Sequence, residues 1–125
     1  MTTMQQKPIL CLDWDGVVHQ YSSGWKGADV IPDPPVPGVF AFIEIACEHF
    51  RIAIFSSRSH QPGGIAAMQG WLLQHCPEGW PERVTIEWPT EKPPAFLTID
   101  DRALTFDGAW PSIDDLKAFK PWNKK

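Results

Sequence analysis

The sequence predicts an α/β fold, with a mostly parallel central sheet flanked by helices. Short apolar runs alternate along the chain with stretches of helical apolar spacing, the pattern of strand–helix–strand units. Polar clusters fall directly after the apolar runs, where open parallel sheets bind ligands. The chain has 125 residues, 43% of them hydrophobic, which suits one domain with a real core. The expected organisation is a single unit over 1–125, with an ordered core at 8–120, a loop insert at 19–37 and a loose tail at 121–125.

The first run, Ile9-Leu10-Cys11-Leu12, reads as a buried strand that stops at Asp13-Trp14-Asp15-Gly16. The segment His19 to Pro37 has no period and several prolines, and a loop this long in a small domain is usually functional. Val39, Phe42, Ile43, Ala46, Cys47 and Phe50 recur at helical spacing, which predicts a helix over 38–49. Residues 51–55 (RIAIF) form a second predicted strand, ending at Ser56-Ser57-Arg58. Gly63-Gly64 open a second helix that carries Ile65, Met68, Trp71, Leu72 and His75 on one face. Further strands are expected at 84–86 and 95–99, the latter ending at Asp100-Asp101, and a short fifth at 103–106. Ser112 is placed to cap a last helix over 113–119, with Asp114 and Asp115 in its first turn, where negative charge is favourable. Taken together these elements predict a three-layer, Rossmann-like arrangement.

Composition sets limits on function. The formal net charge is −4, so the clustered Lys and Arg needed for extensive nucleic-acid binding are not expected. The chain has three cysteines, Cys11, Cys47 and Cys76, with no CxxC pair, and they are expected to be buried reduced thiols of a cytoplasmic protein. Met1 to Lys7 is polar and the apolar run after it is short, so no signal peptide is expected. No run approaches the ~20 apolar residues of a membrane helix, so no membrane partner is expected.

The chemistry concentrates after the predicted strands. Asp13 and Asp15 follow the first, Ser56 the second, and Asp100 and Asp101 the fourth. Like charges this close repel unless a cation or a shared proton relieves them. An oxygen-rich cluster of carboxylates suits Mg²⁺, and no His or Cys set with zinc spacing competes with it. The residues Asp13-Trp14-Asp15-Gly16-Val17 resemble the DxDG(V/T) first motif of haloacid dehalogenase-like phosphatases. Ile54-Phe55-Ser56-Ser57-Arg58 resembles the second motif, Lys92 the third, and Ile99-Asp100-Asp101 the fourth in its paired-aspartate form. The motifs span residues 9–101 in the family's order.

That resemblance implies an enzyme, a magnesium-dependent phosphohydrolase. Asp13 is implied to attack phosphorus and become an aspartyl phosphate. Asp15 is implied to protonate the leaving oxygen and then activate water. Ser56 is implied to hold a phosphate oxygen, and Lys92 to neutralise phosphate charge. The implied metal-binding residues are Asp13, Asp15 (through its carbonyl), Asp100 and Asp101. Gly16, Ser57, Arg58 and Trp25 are the candidate substrate contacts. Ser57 competes with Ser56, Arg58 either binds phosphate or pairs with an acid, and Tyr21 and Trp25 either stack on a base or anchor the insert. None of the four histidines is expected to act as a base. No interval is long enough for a cap domain. An open site would admit a large substrate, such as a nucleotide, a nucleic-acid end or a phosphoprotein, or would take its missing wall from a partner chain, as in a homodimer. A nucleotide or another phosphorylated metabolite is the substrate expected. The rival expectation is a catalytically silent domain of the same fold that binds a phosphorylated ligand or a protein. Silent members usually lose the nucleophile or the acid, and this sequence keeps both.

Overall fold

The computed structural model describes residues 7–122. Their elements are β1 (Ile9–Leu12), α1 (Val39–Ala46), β2 (Arg51–Ile54), α2 (Gly64–His75), α3 (Trp80–Arg83), β3 (Ile86–Glu87), β4 (Leu97–Ile99) and α4 (Ile113–Lys117). The four strands form one sheet in the order β3-β2-β1-β4, and every pairing is parallel. The α/β class and parallel sheet expected from the sequence are therefore present. Among the described residues no helix is long and apolar enough to cross a membrane.

The connections β1-α1-β2 and β2-α2-β3 step across the sheet in the same direction. Right-handed crossovers then place α1 and α2 on one face. The packing agrees. Leu10, Leu12, Ile52 and Ile54 point to one side by strand alternation and register, and they join Phe40, Ile43, Met68, Trp71 and Leu72 in one core. α3 is tied to α1 where the Trp80 indole N–H donates to the Phe40 carbonyl at 2.9 Å. From β3 the chain returns through residues 88–96, past β2 and β1, to the opposite edge. This return passes on the side of the second face, because Lys92 lines a cavity with Cys11 and Thr98, which point to that face by register.

Several boundaries differ from the sequence expectation. The first helix ends at Ala46 and turns complete the segment to Phe50. The third strand is Ile86–Glu87, because Val84 closes the short helix α3 that periodicity could not reveal. The expected strand at 103–106 is absent, and every residue from 102 to 120 is exposed. The last helix is capped by Ser112 as expected, its side chain accepting from the Asp115 N–H at 3.0 Å, but it ends at Lys117. Cys11 is buried, whereas Cys47 and Cys76 are only half-buried; all three are free thiols. Residues 123–125 of the expected loose tail lie outside the described residues, but Pro121 is buried and Trp122 is anchored by a hydrogen bond.

The junction between the Arg58 loop and α2 needs a residue without a side chain. A Cβ on Gly64 would lie 1.9 Å from the Arg58 carbonyl oxygen, a backbone atom that cannot swing aside. Gly70, in the same helix, has nothing within 4 Å. Gly64→Ala is expected to destabilise the fold by about 2 kcal/mol or more through overpacking. Gly70→Ala is expected to stabilise it by roughly 0.5–1 kcal/mol through helix propensity. Urea denaturation of the two variants checks both; equal midpoints would contradict the packing described.

Candidate active site

The order β3-β2-β1-β4 puts a topological switch at β1, where the chain first builds to one side and then returns to the other. Ligands in open α/β sheets bind at the strand carboxyl ends at such a point. Asp13 follows β1 and Asp100-Asp101 follow β4, and the Asp13 N–H donates to the Ile99 carbonyl at 3.0 Å. The carboxylates of Asp13, Asp100 and Asp101 consequently converge, with an oxygen of each lying within 4.8 Å of the others.

Gly16 permits this convergence. Its φ is +86°, and a Cβ there would sit 2.1 Å from an Asp101 carboxylate oxygen. The role of Gly16 is thus to let the two loops approach, and its carbonyl accepts the Trp122 indole N–H at 2.7 Å.

Among the described residues no basic side chain forms an ion pair with the three acids, although the nearby charge of Arg102 partly opposes the rise that burial causes at Asp101. Burial, then the charges of Asp100, Asp101 and Asp15, push the Asp13 carboxyl up to about 7, against a lowering hydrogen bond from the Trp14 N–H. Burial likewise raises Asp101, in part opposed by its own backbone N–H and by a hydrogen bond with Asp13. An oxygen-only set with unrelieved negative charge fits a hard divalent cation such as Mg²⁺.

A cavity of about 210 Å³ opens beside Asp13. Ser56, Ser57, Lys92 and Asp100 line it together with Asp13. The Ser56 hydroxyl oxygen accepts the Arg58 N–H at 3.0 Å, and its own hydrogen faces only the Met68 sulfur at 3.9 Å. Lys92 therefore comes to the site although it lies on the chain well before β4. The return crossing of residues 88–96 carries it there on the side of the second face.

The remaining candidates are placed differently. The Asp15 side chain is outside the carboxylate cluster, so only its main chain remains as a metal contact. Its Oδ2 accepts from Arg58 Nε at 3.0 Å, and its Oδ1 from Arg58 Nη2 at 3.1 Å. The Asp15 Oδ1 also meets His19 Nδ1 at 2.9 Å. The Asp33 N–H points at His19 Nε2 at 3.0 Å, so the hydrogen-bond network assigns the ring proton to Nδ1, which donates to Asp15. Arg58 is fully buried, and its Nη1 donates to the carbonyls of Gly27, Ala28 and Val30 at 2.8, 2.9 and 3.2 Å. Of the two roles open for Arg58 in the sequence, pairing with an acid is the one present; each of its nitrogens donates within the protein and it does not line the cavity. Trp25 covers this guanidinium, with its ring centroid 4.7 Å away.

His19 is the residue that sequence reasoning missed. It is fully buried against Trp71, with ring centroids 5.8 Å apart, and its contacts to Trp71 and Asp33 are distant in sequence. The one available signal was its place four residues after Asp15.

No protein-family model, curated protein or solved structure significantly matches the chain.

The raised Asp13 carboxyl gives a signed pH dependence. Its folded value of about 7 lies above the ~4 of an unfolded aspartate. The proton it binds therefore stabilises the metal-free fold at low pH, and that contribution is lost as pH rises from about 4 through 7. Thermal melting in chelator is expected to show a stability loss over this window that Asp13→Asn removes. Parallel pH profiles for the two proteins would contradict the assignment.

Proposed function

We propose that this chain is a magnesium-dependent phosphohydrolase of the haloacid dehalogenase-like type, in the three-layer Rossmann-like form of that fold, acting on a small phosphorylated substrate. The observation that carries the proposal is the convergence of Asp13, Asp100 and Asp101 at the switch point, beside a cavity lined by Ser56 and Lys92. Acids facing a lysine and a hydroxyl across a small polar cavity match what phosphoryl transfer requires: charge neutralisation and positioning.

In this proposal Asp13, Asp100 and Asp101 hold the cation, with the Asp15 carbonyl as a further oxygen. Bound there, Mg²⁺ would neutralise phosphate charge and allow Asp13 to remain ionised. The Asp13 carboxylate attacks phosphorus, and the bond from phosphorus to the leaving oxygen breaks. Asp15, which otherwise stands as the carboxylate paired to Arg58, first takes up a proton from solvent at Oδ2 and gives that proton to the leaving oxygen. Asp15 then takes a proton from water, the water oxygen attacks phosphorus, and the Asp13–phosphorus bond breaks. Ser56 and Lys92 hold the phosphate oxygens. The Arg58 fork and the His19 N–H fix the Asp15 carboxylate; Oδ2, with one close partner, is the oxygen left free to exchange a proton.

The cavity size supports an open site. At about 210 Å³ it is smaller than the ~300–1,000 Å³ typical of ligand pockets. It takes the phosphoryl group, and the rest of the substrate projects outward. The chain keeps both Asp13 and Asp15, which favours the enzyme over the silent-domain alternative; Asp13 lines the cavity, and Asp15 is held by Arg58 and His19.

Asp13→Asn is expected to abolish Mg²⁺-dependent hydrolysis of an aryl phosphate and keep the fold. Asp15→Asn is expected to abolish it and also to lower stability by up to ~3–5 kcal/mol, because it takes the charge from the buried partner of Arg58. Lys92→Ala is expected to lower kcat by about a hundredfold, the size of one preorganised electrostatic contact. His19→Asn keeps an N–H near the Nδ1 position, so it is expected to retain most of kcat, whereas His19→Leu loses it with little change in KM. Steady-state kinetics with and without chelator check all five; near-normal turnover in Asp13→Asn would overturn the proposal.

A further inference from the structure

The segment between Arg102 and Lys120 leaves the domain and returns to it. Both of its ends meet the same glycine: Asp101 packs on Gly16, and Trp122 donates to the Gly16 carbonyl. Between them every residue is exposed, and α4 buries none of its side chains. Such a segment should be polar. Instead it presents Leu104, Phe106, Trp110, Ile113, Leu116 and Phe119, with Trp110 85% exposed.

These side chains form one patch. Leu104, Phe106, Trp110, Ile113 and Leu116 line a hollow of about 750 Å³. Leu104 and Leu116 also line an adjoining hollow with Phe119, and the Phe106 and Trp110 rings lie 4.7 Å apart. Taking ~150–250 Å² for a fully buried aromatic side chain and somewhat less for Leu or Ile, the exposed fractions amount to roughly 700 Å². The largest apolar patch on a typical monomer is ~300–600 Å². Each partner in a standard interface contributes ~800 Å². The patch exceeds the first figure and approaches the second.

We propose that this segment is a self-association surface, through which two copies of the chain form a symmetric dimer. Two properties select a second copy as the occupant. A two-fold interface must be complementary to itself, and this patch holds both a projecting indole and a hollow wide enough to receive one. The segment is also electrically neutral. Arg102, Lys117 and Lys120 balance Asp107, Asp114 and Asp115, whereas the whole chain carries −4. It can therefore meet its own copy without the like-charge repulsion that an acidic surface would bring. Pairing here covers the apolar residues and sets a second chain beside the Gly16 loop, at the rim of the carboxylate site. The inference is independent of the reaction assigned to that site.

Sedimentation velocity of the full chain over a concentration series tests it. Wild type is expected to be dimeric at micromolar concentration. Trp110→Asp and Ile113→Asp are each expected to weaken the dimer by roughly thirtyfold or more, as for a central interface residue, with unchanged far-ultraviolet circular dichroism. Ile45→Asp and Leu73→Asp, at exposed apolar residues of α1 and α2, are expected to leave it intact. A monomer up to roughly a hundred times the ~1 μM scale of ordinary association would overturn the proposal. So would a dimer that survives both segment variants, or one broken only by the α1 and α2 variants.

Discussion

The buried Arg58 guanidinium joins three parts of the chain that strand pairing leaves separate. It sits after β2, forks onto Asp15 after β1, and donates to the carbonyls of Gly27, Ala28 and Val30 in the long insert. A buried ion pair is costly unless every donor and acceptor is satisfied, and removing one partner typically costs ~3–5 kcal/mol. Here satisfaction is nearly complete, with His19 taking a remaining Asp15 lone pair and Asp33 holding His19 in turn. The Trp71 indole N–H donates to the Asp33 carbonyl at 3.2 Å, which ties the network to the core side of α2. A segment without period is thus held by polar contacts where apolar packing is unavailable.

The same clamp divides the acids into two groups. Asp15 is balanced by a cation within the protein, and Asp13, Asp100 and Asp101 are not. In the proposed site that asymmetry would set the chemistry, because the unbalanced cluster would draw a divalent ion while the balanced carboxylate stays fixed. The sheet order produces it: β4 returns beside β1, bringing two acidic strand ends together, while β2 on the other side brings the arginine.

Much of this was legible in the sequence, and the reasons are physical. Leu10, Leu12, Ile52 and Ile54 lie in runs whose apolar character reports burial directly, so the central strands and the polar residues after them could be located. Ser56 and Lys92 line the cavity with Asp13, as their order in the chain suggested. The partner of Arg58 could not be chosen, because Asp15 lies 43 positions away and only the fold joins them. His19 was passed over because its burial against Trp71 and its bond from the Asp33 N–H come from distant parts of the chain, although Asp15 lies only four residues away. The apolar residues of 103–106 suggested a strand, since apolar spacing reports a wish to be covered and does not say by what. Among the described residues nothing covers them.

The account turns on Asp13 as the group that receives phosphorus. The direct measurement is to mix the protein with Mg²⁺ and an aryl or acyl phosphate, quench rapidly in acid, reduce with borohydride and map the modified residue by peptide mass spectrometry. Reduction of an aspartyl phosphate leaves homoserine, and the account predicts it at Asp13 and its absence from the Asp13→Asn protein. Modification at Asp15, Asp100 or Asp101, or hydrolysis with no modified carboxylate, would contradict it.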